Sequence, residues 1–148
     1  GLVPVAIDSG GLRAALEQLV ARLANEHDIA CEFRNPAQVV IHDGRLATNL
    51  YYIAQEALRN AVQHGEAGHV VVELAVDGGD LVLRIGDDGS GFDHAAEVRG
   101  RGSGLRIMAY RARLVGAELQ IASAAGEGTA VCCTVSVERS PKGWQAGG

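Results

Sequence analysis

The sequence predicts a two-layer α+β fold, in which three helices cover one face of a mixed, mostly antiparallel sheet. The first observation is periodicity. Three segments repeat apolar residues every three or four positions, whereas in most of the remaining patterned segments apolar residues occur at every second position. The second observation is order, because the strand segments occur mostly as neighbouring pairs joined by short turns. That order differs from the strict strand–helix alternation of a doubly wound dinucleotide-binding sheet.

Three segments have the apolar spacing of helices and are expected at about residues 11–26, 46–64 and 104–116. In the first segment, Leu12, Leu16 and Leu23 share one face. Gly65 and Gly116 end the second and third segments, as glycine commonly does at helix C-termini.

Six segments have strand patterns and are expected at about residues 30–34, 38–41, 70–76, 81–87, 118–123 and 130–137. A Gly78-Gly79 turn joins the third and fourth of these strands into a hairpin, and a turn at residues 126–128 joins the last two. A long polar loop occupies residues 88–103. We expect residues 1–10 to be an extended leader and residues 139–148 a disordered tail, with one domain at residues 11–138.

Composition narrows the classes of function. The chain has 148 residues and a net charge of −5, which argues against a surface for nucleic acid or anionic membrane, so no nucleic-acid partner is expected. No apolar stretch reaches the roughly 18–20 residues that cross a bilayer. The three cysteines include no CxxC pair, which favours free thiols and a reducing cytoplasm.

Strand parity draws attention to one acid. The strand that ends near residue 87 has three aliphatic residues at its inward positions, Leu81, Leu83 and Ile85. The same parity places Asp87 inward and Asp88 outward, and an inward carboxylate is costly unless hydrogen-bond donors surround it. Gly89 and Gly91 follow, leaving the backbone open to a flat or anionic group. The sequence thus predicts either a pocket floor or a glycine-rich turn that Asp87 caps.

Polar residues line the margin of the second helix. Glu56, Asn60 and His64 recur at every fourth position beside an apolar face that contains small alanines. A carboxylate one turn from an amide oxygen suits a hard cation such as Mg²⁺, which takes few protein ligands and adds phosphate and water. The alternative is an ordinary solvated polar face.

Glycines also precede the third helix. Gly102 and Gly104 lie where the polar loop enters it, so unpaired N–H groups and the positive end of the helix dipole would face an anion there. A flexible loop before a helix is the alternative. The chain has neither the P-loop pattern nor the dinucleotide fingerprint, which excludes both of those phosphate sites.

Four motifs in this order resemble the N box and glycine boxes of the Bergerat-fold ATPases: EALRNAVQHG, DDGSGF, GSGL and GEGT. That superfamily contains histidine kinases, Hsp90-type chaperones, type II topoisomerases and MutL proteins. The residues of these motifs are most similar to those in the ATP-binding domain of two-component sensor histidine kinases of the NarL-associated type. The resemblance covers about residues 1–137, and the leader resembles the stretch that joins the dimerisation helices of that group to its kinase domain.

By that resemblance, the second helix carries the chemistry. Glu56 corresponds to the N-box acid that helps to activate the attacking nucleophile, and Asn60 to the ligand that links Mg²⁺ to the phosphates of ATP. His64 corresponds to a nucleotide-side position that is often histidine in this group, with its role left open.

The resemblance also implies a nucleotide pocket. Asp87 corresponds to the acid that binds the amino group of adenine, and Gly89 and Gly91 to the glycines that shape the adenine pocket. Thr129 corresponds to a threonine near the adenine. The glycine box beneath a mobile ATP lid corresponds to Gly102, Gly104 and Leu105.

The resemblance therefore implies transfer of the γ-phosphoryl group of Mg-ATP to a histidine. The phosphoacceptor helices of this family read roughly ELHD, and neither His27-Asp28 nor His42-Asp43 matches that pattern. We expect a monomeric catalytic fragment whose partners are the dimerisation and phosphoacceptor helices of a parent kinase and a downstream response regulator. The alternatives are a serine kinase of the anti-sigma-factor type, a nucleotide-sensing module without catalysis, and, least favoured, a hydrolytic ATPase.

Overall fold

The computed structural model describes residues 11–63, 66–91, 103–136 and 143–147. Its helices are α1 (Gly11–His27), α2 (Gly44–Gln63) and α3 (Ser103–Leu114). Its strands are β1 (Ala30–Arg34), β2 (Val40–Ile41), β3 (His69–Asp77), β4 (Asp80–Asp87), β5 (Glu118–Ser123), β6 (Thr129–Val135) and β7 (Trp144–Gln145). The predicted helices and strands are therefore present, with shifted ends.

Five strands form one sheet in the order β1-β3-β4-β6-β5. β1 pairs with β3 in parallel, and the other three pairings are antiparallel. Gly78 and Gly79 join β3 to β4 with φ values of 59° and 88°, as a tight two-residue hairpin turn requires. The prediction of a mixed, mostly antiparallel sheet is confirmed.

The helices pack on one face of this sheet and enclose a single core. The inward residues of the three central strands are buried: Val70, Val72, Leu74, Leu81, Leu83, Ile85, Val131, Cys133 and Val135. α1 contributes Leu12, Leu16 and Leu19, with Leu23 partly buried against them. None of the helices in the described residues is long and apolar enough to cross a membrane.

Two boundaries differ from prediction for local reasons. α2 begins at Gly44 because the Asp43 carboxylate accepts the N–H groups of Arg45 and Leu46, at 2.9 and 3.2 Å, and so caps the helix. β2 is shorter than predicted because the Asn35 side chain hydrogen-bonds both the N–H and the carbonyl of Val39, which closes a turn where a strand was expected.

The expectation of a disordered tail is wrong for residues 143–147. Trp144 and Gln145 pair with β2, and the Gly143 carbonyl accepts the N–H groups of His42 and Asp43 at 2.7 and 3.1 Å. The indole of Trp144 packs against the core. Pairing with β2 and the packing of Trp144 thus hold this segment near the start of α2. The predicted leader lies outside the described residues.

Replacing Trp144 tests whether this terminal strand stabilises the domain. Trp144→Ala should lower the free energy of unfolding by about 2 kcal/mol, because a partly buried aromatic side chain leaves the core. Trp144→Phe is the matched control. It keeps most of the ring contact and removes the indole N–H, which is buried with no partner among the described residues. Its stability should therefore stay within about 1 kcal/mol of the parent. Urea unfolding followed by circular dichroism distinguishes the two, and an unchanged Ala variant would contradict this account.

Candidate functional site

The candidate site has two parts: the end of β4, and the region where the second half of α2 meets the first turn of α3. β4 ends at Asp87, which is paired with Val70 at the start of β3 and with Thr129 at the start of β6. The segment that follows α2 is tied to this edge, because Gly68 and His69 both donate to Asp88. The fold thus brings two of the four sequence motifs, DDGSGF and GEGT, together at one edge of the sheet.

Asp87 and Asp88 occupy opposite environments, as strand parity predicts. The half-buried Asp87 carboxylate accepts the N–H of Gly89 at 2.8 Å. Burial raises the pKa of Asp87, the N–H groups of Gly89 and Thr129 oppose that rise, and the charge of Asp88 adds to it. Asp87 is therefore a partly desolvated acceptor held in a fixed orientation.

Asp88 is exposed and faces away from that position. Its Oδ1 accepts the N–H groups of His69 and Gly68, each at 2.9 Å. These two hydrogen bonds lower the pKa of Asp88. The second acid of the DDG motif therefore anchors the chain between α2 and β3.

Two glycines of these motifs, Gly91 after β4 and Gly128 before β6, are required by backbone packing. A Cβ at Gly91 would collide with the carbonyl oxygen of Ala124, and one at Gly128 would collide with that of Asp87. Both glycines also have positive φ, 66° and 76°. The turn after β4 therefore packs its backbone directly on the turn between β5 and β6, and this contact fixes Asp87 beside Thr129.

On α2, Glu56 is buried, with only 7% of its surface exposed. This corrects the placement of Glu56 on a polar margin, and excludes a solvated face at that position. The reason is that α3 covers it: a Cβ at Gly104 would lie 3.2 Å from Glu56 Oε2 and 3.4 Å from both polar atoms of the Asn60 amide. The first turn of α3 therefore packs against Glu56 and Asn60, which lie one helical turn apart on α2.

The described residues include most of the predicted site. Leu105 is buried beneath the first turn of α3 and Asn60 is half-buried. The Thr129 hydroxyl lies 2.8 Å from that of Ser123. His64 and Gly102 lie outside the described residues.

Sequence reasoning missed two sets of polar contacts. Arg59 forms an ion pair with Glu56, and its i,i+3 spacing was a usable signal. The buried Asn49 accepts a hydrogen bond from Arg111 at 3.3 Å, and Arg111 also lies over the ring of Tyr52 at 4.6 Å. This second set joins α2 to α3 across 62 residues of sequence, which no local pattern signals.

A separate open cavity of about 770 Å³ lies beside the ends of β4, β5 and β6. Gly86, Ala122 and Ala130 contribute to its floor, and these residues share the outward side of their strands. Asp87 and Thr129 border it, whereas Glu56 and Asn60 do not. Among the described residues, a buried acid, an amide and a helix N-terminus converge on the helix side, and we place the phosphate-binding part of the candidate site there.

Residues 46–139 match the family described as histidine kinase-, DNA gyrase B-, and HSP90-like ATPase. The chain is 35% identical over 145 residues to an uncharacterized sensor-like histidine kinase of Chloroflexus aurantiacus, which covers 93% of this chain and 24% of the relative. It is 29% identical over 136 residues to the oxygen sensor histidine kinase NreB of Staphylococcus carnosus, covering 92% of this chain and 39% of NreB. The chain thus spans less than half of either relative.

Solved structures share the fold. A histidine kinase domain from the blue-light activated kinase of Erythrobacter litoralis EL346 superposes with a TM-score of 0.70 at 24% identity, covering 95% of this chain and 68% of that one. The Acinetobacter baumannii histidine kinase AdeS gives 0.69 at 14% identity, covering 87% and 66%. At these identities the likeness concerns the fold alone.

The shifted pKa of Asp88 predicts how stability depends on pH. Because the folded-state pKa lies below the unfolded value, the contribution of Asp88 is present above about pH 4 and is lost as pH falls through the lower folded value. Asp88→Asn should therefore lower the melting temperature at pH 7 and flatten its decline on acidification. Calorimetry between about pH 7 and pH 3 measures this, with Asp28→Asn as a control for the loss of one carboxylate. Parallel profiles for Asp88→Asn and the parent would contradict the anchoring role.

Proposed function

The chain belongs to the histidine kinase-, DNA gyrase B- and HSP90-like ATPase family, and on that premise we propose that it is the ATP-binding catalytic domain of a sensor histidine kinase. Membership of this ATPase family implies ATP binding. The named relatives support the choice of kinase within the family. The observation that carries the proposal is the buried Glu56, held beside Asn60 under the first turn of α3.

Asp87 is the proposed acceptor for the amino group of adenine. A half-buried carboxylate that already takes the N–H groups of Gly89 and Thr129 has its orientation fixed and retains lone pairs for another donor. The elevated pKa of Asp87 reflects incomplete compensation for burial, which an amino group of the base would improve. Guanine has a keto oxygen in place of this amino group. Because the keto oxygen and the Asp87 carboxylate are both hydrogen-bond acceptors, guanine would bind poorly here.

The phosphates are assigned to the side of the site that α2 and α3 form. The first N–H groups of α3 have no partner within the helix, and the dipole is positive at that end, so anions are favoured there. Asn60 adjoins this turn and supplies one amide oxygen, which fits Mg²⁺ because this ion commonly completes its shell with phosphate oxygens and water. When bound, Mg²⁺ would neutralise charge on the transferring phosphoryl group.

Glu56 is the proposed catalytic residue. In phosphoryl transfer to histidine, an imidazole nitrogen forms a bond to the γ-phosphorus, the bond to the leaving oxygen of ADP breaks, and the imidazole proton is released. A carboxylate next to the phosphate site can orient the imidazole and accept that proton. A module that only bound nucleotide would have no use for a buried acid there, because its desolvation is unfavourable.

The surface of α3 fits an approaching apolar helix. Ile107 and Tyr110 are 40% and 53% exposed and lie one and two turns beyond Gly104. Large apolar residues exposed beside a catalytic edge favour a partner that covers them. We assign this face to the phosphoacceptor helix of the parent kinase, followed in the pathway by a response regulator. Free cysteines in the described residues and the need for ATP are in keeping with a cytoplasmic domain.

Nucleotide selectivity tests the adenine assignment. Asp87→Asn should weaken ATP binding by about 1–3 kcal/mol, since one buried partner is mispaired. The parent should bind GTP far more weakly than ATP. Asp88→Asn is the matched control, because that acid faces away, and it should leave ATP affinity unchanged. Calorimetry that gave equal affinities for ATP and GTP would rule out the role of Asp87.

Phosphotransfer tests the proposed activity. The chain alone should bind ATP without phosphorylating itself, because the acceptor histidine is not held near the phosphate. A dimerisation domain of the NarL-associated type, added in trans with Mg-ATP, should acquire acid-labile phosphate, and EDTA should abolish this. Glu56→Gln should slow the transfer by about 100-fold while sparing ATP affinity.

Three results would overturn the assignment. Acid-stable phosphate on serine would favour the serine kinase alternative. Rapid release of phosphate without an acceptor, or efficient labelling of His27 or His42 in the chain alone, would contradict a kinase domain that acts on a separate helix.

A further inference from the structure

We propose that Arg59 is a positioning residue for Glu56, and this inference rests on the proposed phosphotransfer function. Arg59 lies one turn after Glu56 on α2, and its guanidinium pairs with Glu56 Oε1. The Glu56 side chain is 9% exposed, whereas the Arg59 side chain is 52% exposed. A surface residue thus reaches inward to hold a buried acid.

The two carboxylate oxygens of Glu56 have different neighbours. Oε1 faces Arg59, whereas Oε2 faces the first turn of α3, with Gly104 so close that a Cβ there would lie 3.2 Å away. Terminal carboxylate torsions are broad in the absence of such contacts. Contacts on both sides restrict this torsion and leave Oε2 as the oxygen directed toward the turn assigned to the phosphates. Arg59 therefore determines which oxygen is presented to the reaction.

Arg59 also supplies the counter-charge. In the part of the chain that the structure describes, it is the one cation that forms an ion pair with Glu56. An unpaired buried carboxylate would be driven toward its neutral form or away from its position. The planar guanidinium of Arg59 supplies that opposite charge together with donors whose geometry matches a carboxylate.

A purely structural role predicts a different outcome. Because Arg59→Gln leaves the buried Glu56 carboxylate without its partner, a purely structural role predicts a lower melting temperature, with the transfer rate and the ATP affinity falling together. A positioning role predicts slower transfer by a protein that is folded and still binds ATP. A second alternative is direct contact of Arg59 with the phosphates, which would appear as a loss of affinity for ATP.

The experiment compares the transfer rate with ATP affinity in a set of variants. The acceptor is the dimerisation domain added in trans, and ATP affinity is measured by calorimetry on the same preparations. The variants are Arg59→Gln, Arg59→Lys, Glu56→Gln and the double variant of Glu56→Gln with Arg59→Gln. Arg13→Gln is the matched control, because Arg13 forms an exposed ion pair with Glu17 on α1, away from the site.

Arg59→Gln should slow transfer about tenfold while ATP affinity stays within about twofold, because a misplaced carboxylate affects the reaction more than binding. Arg59→Lys should recover most of the rate, since it restores the charge. In the Glu56→Gln background, Arg59→Gln should have no further effect, because the two residues act together. Arg13→Gln should behave as the parent.

Four results would overturn the inference. The first is equal transfer rates for the parent and Arg59→Gln. The second is a loss of rate on Arg59→Gln that is just as large in the Glu56→Gln background, and the third is a loss of rate matched by an equal loss of ATP affinity. The fourth is a parent that transfers no phosphate to the added domain, in which case the proposed function fails first and the role of Arg59 fails with it.

Discussion

The contact between α2 and the first turn of α3 determines the geometry of the candidate site. Glu56 is buried where α3 lies over it, and glycine at residue 104 favours this close approach, since a Cβ there would lie 3.2 Å from Glu56 Oε2. The same approach brings the first turn of α3, whose N–H groups have no partner within the helix, to Asn60. An acid, an amide and a helix end that favours anions therefore share one location. Arg111 helps to keep the two helices together through Asn49. The proposed chemistry depends on this packing more than on any single residue.

A second contact fixes the other end of the site. The backbone of the turn after β4 touches the turn between β5 and β6, with glycine at both points of closest approach. This contact holds Asp87 against Thr129, while Asp88 turns outward to anchor the chain that follows α2. Adjacent acids thereby acquire opposite pKa shifts and separate roles, one as a desolvated acceptor and the other as a structural anchor.

Local periodicity was sufficient to predict the sheet, the helices, the inward parity of Asp87 and the alignment of Glu56 with Asn60, because each follows from one segment. The N-cap at Asp43 and the pairing of Arg59 with Glu56 were also readable from short spacings, although they were missed. The burial of Glu56 could not be predicted in this way, because the helix that covers it, α3, belongs to a distant part of the sequence. The terminal strand at Trp144 was missed for the same reason: its partner strand lies about a hundred residues earlier.

The most direct test of the account is where ATP binds. Amide signals in a two-dimensional NMR titration of the isotopically labelled chain with Mg²⁺ and a non-hydrolysable ATP analogue report this position. If ATP binds between Asp87 and the first turn of α3, the signals of Gly89, Gly104 and Thr129 shift together, along with the side-chain amide of Asn60. Shifts confined to Gly86, Ala122 and Ala130, on the floor of the outward cavity, would contradict the account.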